Sequence, residues 1–160
     1  MKCALIVGGA NGIGLSIASQ LAARESCQKI YIVDKVKPSA CFINKKFECF
    51  EFDLTEADFS FFDRFTDIDT LMITAGFGHL AHFGDLDESY IINSFNVNTI
   101  AAIRIIHRFY KRIYSSADFY CGVMGSIAGF MSSPLFSVYG ASKAALKVFI
   151  ESVNVELAKS

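Results

Sequence analysis

The amino terminus constrains the fold more than any other stretch. Cys3-Ala-Leu-Ile-Val7 is a short, unbroken apolar run, the pattern of a parallel strand buried on both faces. It runs into Gly8-x-x-x-Gly12-Ile13-Gly14, after which Leu15, Ile17, Ala18, Leu21 and Ala22 recur at helical spacing. Strand, glycine turn and helix in this order can cradle a pyrophosphate. The glycines let the backbone turn tightly and approach the ligand, and the helix start presents unpaired N–H groups. A glycine triplet alone is often only a turn, so its flanking strand and helix carry the weight.

The rest of the chain repeats the alternation. Ile30-Tyr-Ile-Val33 is a second apolar run closing on Asp34. An acid about 20 residues past the glycines binds the adenosine-ribose hydroxyls and repels a 2′-phosphate, which favours NAD(H) over NADP(H). Lys35 would soften that preference, and the plain alternative is a solvated acid at a strand end. Lys35–Lys46, with Pro38, Ser39 and Asn44, reads as a connector. A strand at 47–52 ends in Asp53-Leu54-Thr55, where Asp53 or Thr55 can cap a helix carrying Phe59, Phe62 and Phe65 into the core.

A fourth strand, Thr70–Thr74, closes on Ala75-Gly76-Phe77-Gly78, small residues that admit a flat ligand or mark an ordinary turn. His79 and His82 have no third ligand nearby and suit a loop or pocket better than a metal. Residues 88–113 carry a long helical pattern, with Arg104, Arg108, Lys111 and Arg112 as a solvated face. Asn98 lies in its middle, where Asn disturbs regular backbone bonding. A fifth strand, 119–124, delivers Gly125-Ser126, and a final helix runs over 137–158. The expected fold is α/β, a Rossmann-like doubly wound parallel sheet of about five strands in the order 3-2-1-4-5, helices on both faces, as one domain over 1–160.

Tyr139 and Lys143 are four apart in that last helix, so both heads share one face. A tyrosine is a poor proton carrier near neutrality because its ordinary pKa is about 10. An adjacent ammonium favours the phenolate and makes the phenol usable. The hydroxyl of Ser126, at a strand end, is placed to hold a carbonyl or alcohol oxygen. A Tyr-x-x-x-Lys pair by itself is equally the mark of an exposed helix face.

Composition narrows the partners. Hydrophobic residues make up 52% and charged ones 19% of 160 residues, below the usual charge of roughly 25%, which suits strands covered on both faces. A net charge of −1 with no basic stripe argues against nucleic acid. No run of about 18 apolar residues argues for a membrane span. Cys3, Cys27, Cys41, Cys49 and Cys121 form no metal spacing and read as reduced thiols of a cytoplasmic protein.

Together these features resemble the short-chain dehydrogenase/reductase family, from Gly8-x-x-x-Gly12-Ile13-Gly14 through Tyr139-x-x-x-Lys143. The resemblance implies an NAD(H)-dependent oxidoreductase acting on a small alcohol/carbonyl substrate. Its implied cofactor-binding residues are Gly8, Gly12, Ile13, Gly14, Asp34, Asp53, Leu54, Ala75, Gly76, Tyr139 and Lys143. Its implied catalytic residues are Asn98 (supporting a proton-relay water), Ser126, Tyr139 and Lys143, with no metal. It also implies a homo-dimer or homo-tetramer through helices 88–113 and 137–158. The alternative is a non-catalytic nucleotide-binding or interaction module derived from such an enzyme. Val7 and Thr74 depart from the family's Thr and Asn where two turns brace each other, so a weakened or rearranged brace is expected. Gly125 stands where a second Ser is frequent. Family members also continue beyond the final helix, so the chain is expected to be truncated at its carboxyl end.

Overall fold

The structure, a computed structural model, describes residues 1–37 and 44–158. Pro38, Ser39 and Cys41 of the connector lie outside the described residues. Two compact units emerge, Met1–Ala75 with Arg108–Met124, and Gly76–His107 with Gly125–Ser160.

The first unit contains a five-stranded parallel sheet: β1 (Cys3–Val7), β2 (Lys29–Asp34), β3 (Phe47–Glu51), β4 (Thr70–Ile73) and β5 (Tyr120–Val123). Their order is β3-β2-β1-β4-β5, as expected. β1 is central and every residue of it is buried, which is why its sequence carries no polar alternation. One face holds α1 (Gly12–Ala22), whose Ala18 and Ala22 pack with Ala4, Ile6, Ile30 and Ile32. Small helix residues here meet branched strand residues, which keeps the glycine turn close to the sheet.

The other face is aromatic. The expected helix carrying Phe59, Phe62 and Phe65 is instead a single 3-10 turn, Ser60–Arg64. Phenylalanines three apart line up on the tighter three-residue turn. Neither Asp53 nor Thr55 caps a helix: the Asp53 carboxylate closes its own turn, accepting from Thr55 N at 2.9 Å and Thr55 Oγ1 at 2.8 Å. Asp58 repeats this device on Ser60, at 2.7 Å to both N and Oγ. Side chains that compete locally for backbone N–H groups hold the segment out of an α-helix. The three phenylalanines are buried as expected, with Phe65 against Tyr31 (ring centroids 5.0 Å) and Phe50 (5.4 Å).

Arg108 and Arg112, expected on a solvated face, clamp this segment. Arg108 Nη1 lies 2.6 Å from the Asp63 carboxylate. Arg112 donates to Phe65 O at 3.0 Å and also to Ile68 O. Cys3, Cys27 and Cys121 are free thiols, but Cys49 is disulfide-bonded, so the expectation of reduced thiols fails there.

The second unit is built on helices. α2 (Glu88–Phe95) passes through a π-helical turn, Asn96–Ile100, into α3 (Ala101–Ser115), of which residues up to His107 belong to this unit, and α4 spans Ser137–Ala158. The expected helix 88–113 is therefore present but broken in register at Asn98, where one wider turn is inserted. Among the described residues no helix is long and apolar enough to cross a membrane.

Candidate active site

The glycine turn of the first unit has the backbone its sequence demands. Gly8 adopts φ +85°, in the left-handed region, and a Cβ there would overlap Ala75 N. A Cβ on Gly14 would overlap Gly8 O, so the helix start lies directly against the turn. The glycine turn is braced to the turn after the fourth strand. Thr74 N and Ala75 N donate to Val7 O at 2.8 and 3.1 Å. Thr74 Oγ1 sits 3.0 Å from both Val7 O and Gly8 O. A threonine hydroxyl thus ties the two turns together.

Three observations fit a dinucleotide phosphate at this turn. Asn11 makes no side-chain cap on α1, and the first turn of α1 holds no acid. A Cβ on Gly12 would meet nothing within 4 Å, so the cradle is open. Helix N–H groups without a side-chain cap or a repelling carboxylate suit an anion. Asp34 Oδ2 accepts from Ala10 N at 2.9 Å, which pins the turn to the end of β2. Ile13 and Asp53 are exposed and Leu54 is half-buried. The bonds from Thr55 hold the Asp53 carboxyl below its ordinary pKa.

In the second unit, Asn98 is the centre of a buried network. It is 1% exposed. Its Oδ1 accepts from Phe77 N at 2.9 Å, and its Nδ2 donates to Phe77 O at 2.9 Å and to Ser142 Oγ at 3.0 Å. Ser142 Oγ donates to Tyr139 O at 2.8 Å, and Thr99 Oγ1 donates to Ser142 O at 2.7 Å. The π-helical turn supplies both Asn98 and Thr99 to this contact with α4. The turn Tyr139–Lys143 is therefore fixed from its own backbone, not only by packing.

Backbone and side chains meet closely here. A Cβ on Gly76 would lie 3.1 Å from Asn98 Oδ1 and 3.2 Å from Lys143 Nζ. A Cβ on Gly78 would lie 2.9 Å from Tyr139 Cδ2. Gly76 and Gly78 leave the room that Lys143 and the Tyr139 ring occupy. Lys143 is 4% exposed, and burial lowers its pKa by disfavouring the charged form.

Ser126 follows the fifth strand in the chain and caps the 3-10 turn Ile127–Gly129, its Oγ accepting from Ala128 N at 3.2 Å. Accepting that bond leaves the hydroxyl proton to donate. Ser126 and Tyr139 line one cleft of about 680 Å³ with Gly78, Leu80, Met131 and Phe136 among its walls. The structure so brings Ser126 and Tyr139 to one cleft, and Asn98 and Lys143 to Gly76. Thr99 and Ser142 leave no readable signal in the sequence, whereas Gly78 belongs to the small-residue turn noted there.

The fold and this residue set place the chain in a class: it belongs to the short-chain dehydrogenase family, whose pattern it matches over residues 2–160. It is similar to Dehydrogenase RED2 of Cochliobolus heterostrophus, 28% identical over 97% of this chain and 60% of that protein. Among solved structures it resembles the bulky-bulky ketone specific alcohol dehydrogenase from Comamonas testosteroni, with a TM-score of 0.88 and 24% identity over 99% of this chain and 68% of that one. It also resembles a 3-oxoacyl-(acyl-carrier protein) reductase from Brucella melitensis in complex with NAD, with a TM-score of 0.83 and 26% identity over 99% and 68% of the two chains. The chain spans about half the length of the curated relatives it matches.

Burial of Lys143 makes a pH prediction with a definite sign. Its folded pKa lies below the unfolded value of 10.5, so between the two the unfolded chain binds more protons and stability rises with pH. The penalty of burying the ammonium is fully present below the folded pKa and is released as pH rises through it. Urea unfolding of the wild type and Lys143→Met across this range checks it. The stability difference should move in favour of the wild type as pH rises. A difference independent of pH contradicts the buried ammonium.

Proposed function

We propose that the chain is the cofactor-binding and catalytic part of an NAD(H)-dependent oxidoreductase that interconverts an alcohol and a carbonyl compound. One observation carries this: Tyr139, fixed on the same helical turn as a buried lysine, shares a cleft with Ser126. Nicotinamide, when bound, supplies or accepts the hydride. Ser126 donates its hydroxyl proton as a hydrogen bond to the substrate oxygen. In reduction Tyr139 Oη gives that oxygen its proton, and in oxidation it takes the proton back. The Lys143 ammonium lowers the cost of the phenolate left behind. Asn98, with its side chain committed to Phe77 and Ser142, serves as a positioning residue.

Gly8, Gly12, Ile13 and Gly14 hold the pyrophosphate in this proposal, and Asp34 selects NAD(H) over NADP(H) through the ribose hydroxyls. Asp53 and Leu54 serve the adenine, and Ala75 and Gly76 its ribose. The NAD complex of the Brucella melitensis reductase supports the choice of cofactor. Exposed Ile92 and Ile100, with Val148 and Val155 on α4, support pairing with a second copy. Sedimentation at micromolar concentration should then show a dimer or tetramer, and a monomer contradicts the pairing.

The second reading is a nucleotide-binding or interaction module without catalysis, in which the buried bonds of Asn98 serve stability alone. Tyr139→Phe separates the two. It should cut turnover of a carbonyl substrate by at least about 1,000-fold, within the usual worth of a proton donor. NADH fluorescence titration should show binding within about threefold of the wild type, tighter than for NADPH. A wild type that binds NADH and turns over no carbonyl compound favours the second reading. Turnover unchanged by the substitution contradicts the proton role of Tyr139.

A further inference from the structure

The walls of the cleft around Ser126 and Tyr139 specify what the proposed reaction acts on. Leu80, Ile127, Met131 and Phe136 supply hydrocarbon, and the polar side chains are the hydroxyls of Ser126, Ser132, Ser133 and Tyr139. No lysine, arginine, histidine or acid lines the cleft among the described residues. Lys143, on the same helical turn as Tyr139, is 4% exposed and is not among the cleft walls, and two further basic side chains near in sequence are engaged elsewhere. Lys147 Nζ forms an ion pair with Glu151 at 2.9 Å and lies 4.7 Å from the Phe130 ring centroid. His79 N donates to Tyr90 Oη at 2.9 Å, and its ring packs against Tyr90 at 5.9 Å.

We infer that this cleft takes an uncharged, hydrocarbon-rich carbonyl compound or alcohol and discriminates against one that carries a carboxylate or phosphate. The inference rests on the oxidoreductase reading above and adds the substrate class. An anion that gives up water to the hydrocarbon walls finds no charged side chain among them in return, which disfavours it. A hydrocarbon arm instead covers walls left open to water, since Leu80 is 58%, Met131 66% and Ile127 78% exposed. The volume of about 680 Å³ suits an organic molecule and exceeds the need of a small aldehyde, since ligand sites run from roughly 300 to 1,000 Å³. The four lining hydroxyls can hydrogen-bond an uncharged oxygen, and none of them supplies a counter-charge.

Matched pairs test this. Methyl hexyl ketone and acetophenone are each compared with the analogue bearing a carboxylate at the end far from the carbonyl. With NADH, the wild type should reduce each ketone with kcat/KM at least about 100-fold above its carboxylate partner. Met131→Lys, a change at an exposed wall, should shrink that ratio by about tenfold or more by giving the anion a partner. Calorimetry on NADH-saturated Tyr139→Phe gives a readout free of turnover, with saturable heat for the ketones and none for the carboxylates.

The outcomes separate the two claims. Carboxylates reduced or bound as well as their ketones overturn the substrate class and leave the oxidoreductase reading standing. Ketones bound selectively but never reduced by the wild type overturn the oxidoreductase reading and leave the selectivity of the cleft standing. A ratio unmoved by Met131→Lys, or no saturable binding of either ketone, overturns the inference.

Discussion

Asn98 does for Phe77 what a neighbouring strand would do. One side-chain amide accepts the Phe77 N–H and donates to the Phe77 carbonyl, both at 2.9 Å. The backbone between Gly76 and Gly78 is held without a strand partner and without any side chain in the way. That segment is what Lys143 and the Tyr139 ring lie against. The same amide reaches Ser142, whose hydroxyl goes on to Tyr139 O. Each such bond contributes only about 1 kcal/mol net, yet a buried partner left unsatisfied costs about 1–3 kcal/mol. The network is therefore all-or-none in character. The π-helical turn at Asn96–Ile100 forgoes regular α-helical bonding, and the contacts of Asn98 and Thr99 offset that loss.

The first unit solves a similar problem with different chemistry. Its glycine turn must stay open at Gly12 and rigid at Gly8. Rigidity comes from the carbonyl of Val7, which accepts two backbone N–H groups and lies beside a threonine hydroxyl. A residue with one hydroxyl can brace two turns because both acceptors, Val7 O and Gly8 O, lie at the same 3.0 Å from it. Asp34 closes the other side of the turn through Ala10 N. An acid placed for a ribose thereby also has a mechanical part in the turn itself.

Much of the fold is legible in the sequence because buried parallel strands carry a simple signal. The apolar runs at 3–7, 30–33 and 70–74 are bounded by glycine, acid or small residues, and each strand falls within a residue or two of its run. Asn98 stands out as a polar residue in an apolar helix, so the interruption there is also legible. The segment around Phe59 is not, because a spacing of three fits an α-helix and a 3-10 turn alike, and the local bonds of Asp53 and Asp58 decide between them. The brace at Thr74 is hidden for another reason. Residue type alone does not show that the Thr74 hydroxyl reaches two carbonyls of the neighbouring turn. The cleft is the least legible part: Leu80 and Met131 are distant in sequence, and only the fold makes them walls of one space.

The central claim is that one buried asparagine orders the backbone on which the proton-carrying tyrosine and its lysine rest. Amide hydrogen exchange at Phe77, compared between the wild type and Asn98→Ala, tests it most directly. Protection at Phe77 should fall by about tenfold or more, while the amides of Leu5 and Ile6 in the central strand keep theirs. Equal protection at Phe77 in the two proteins would contradict the account.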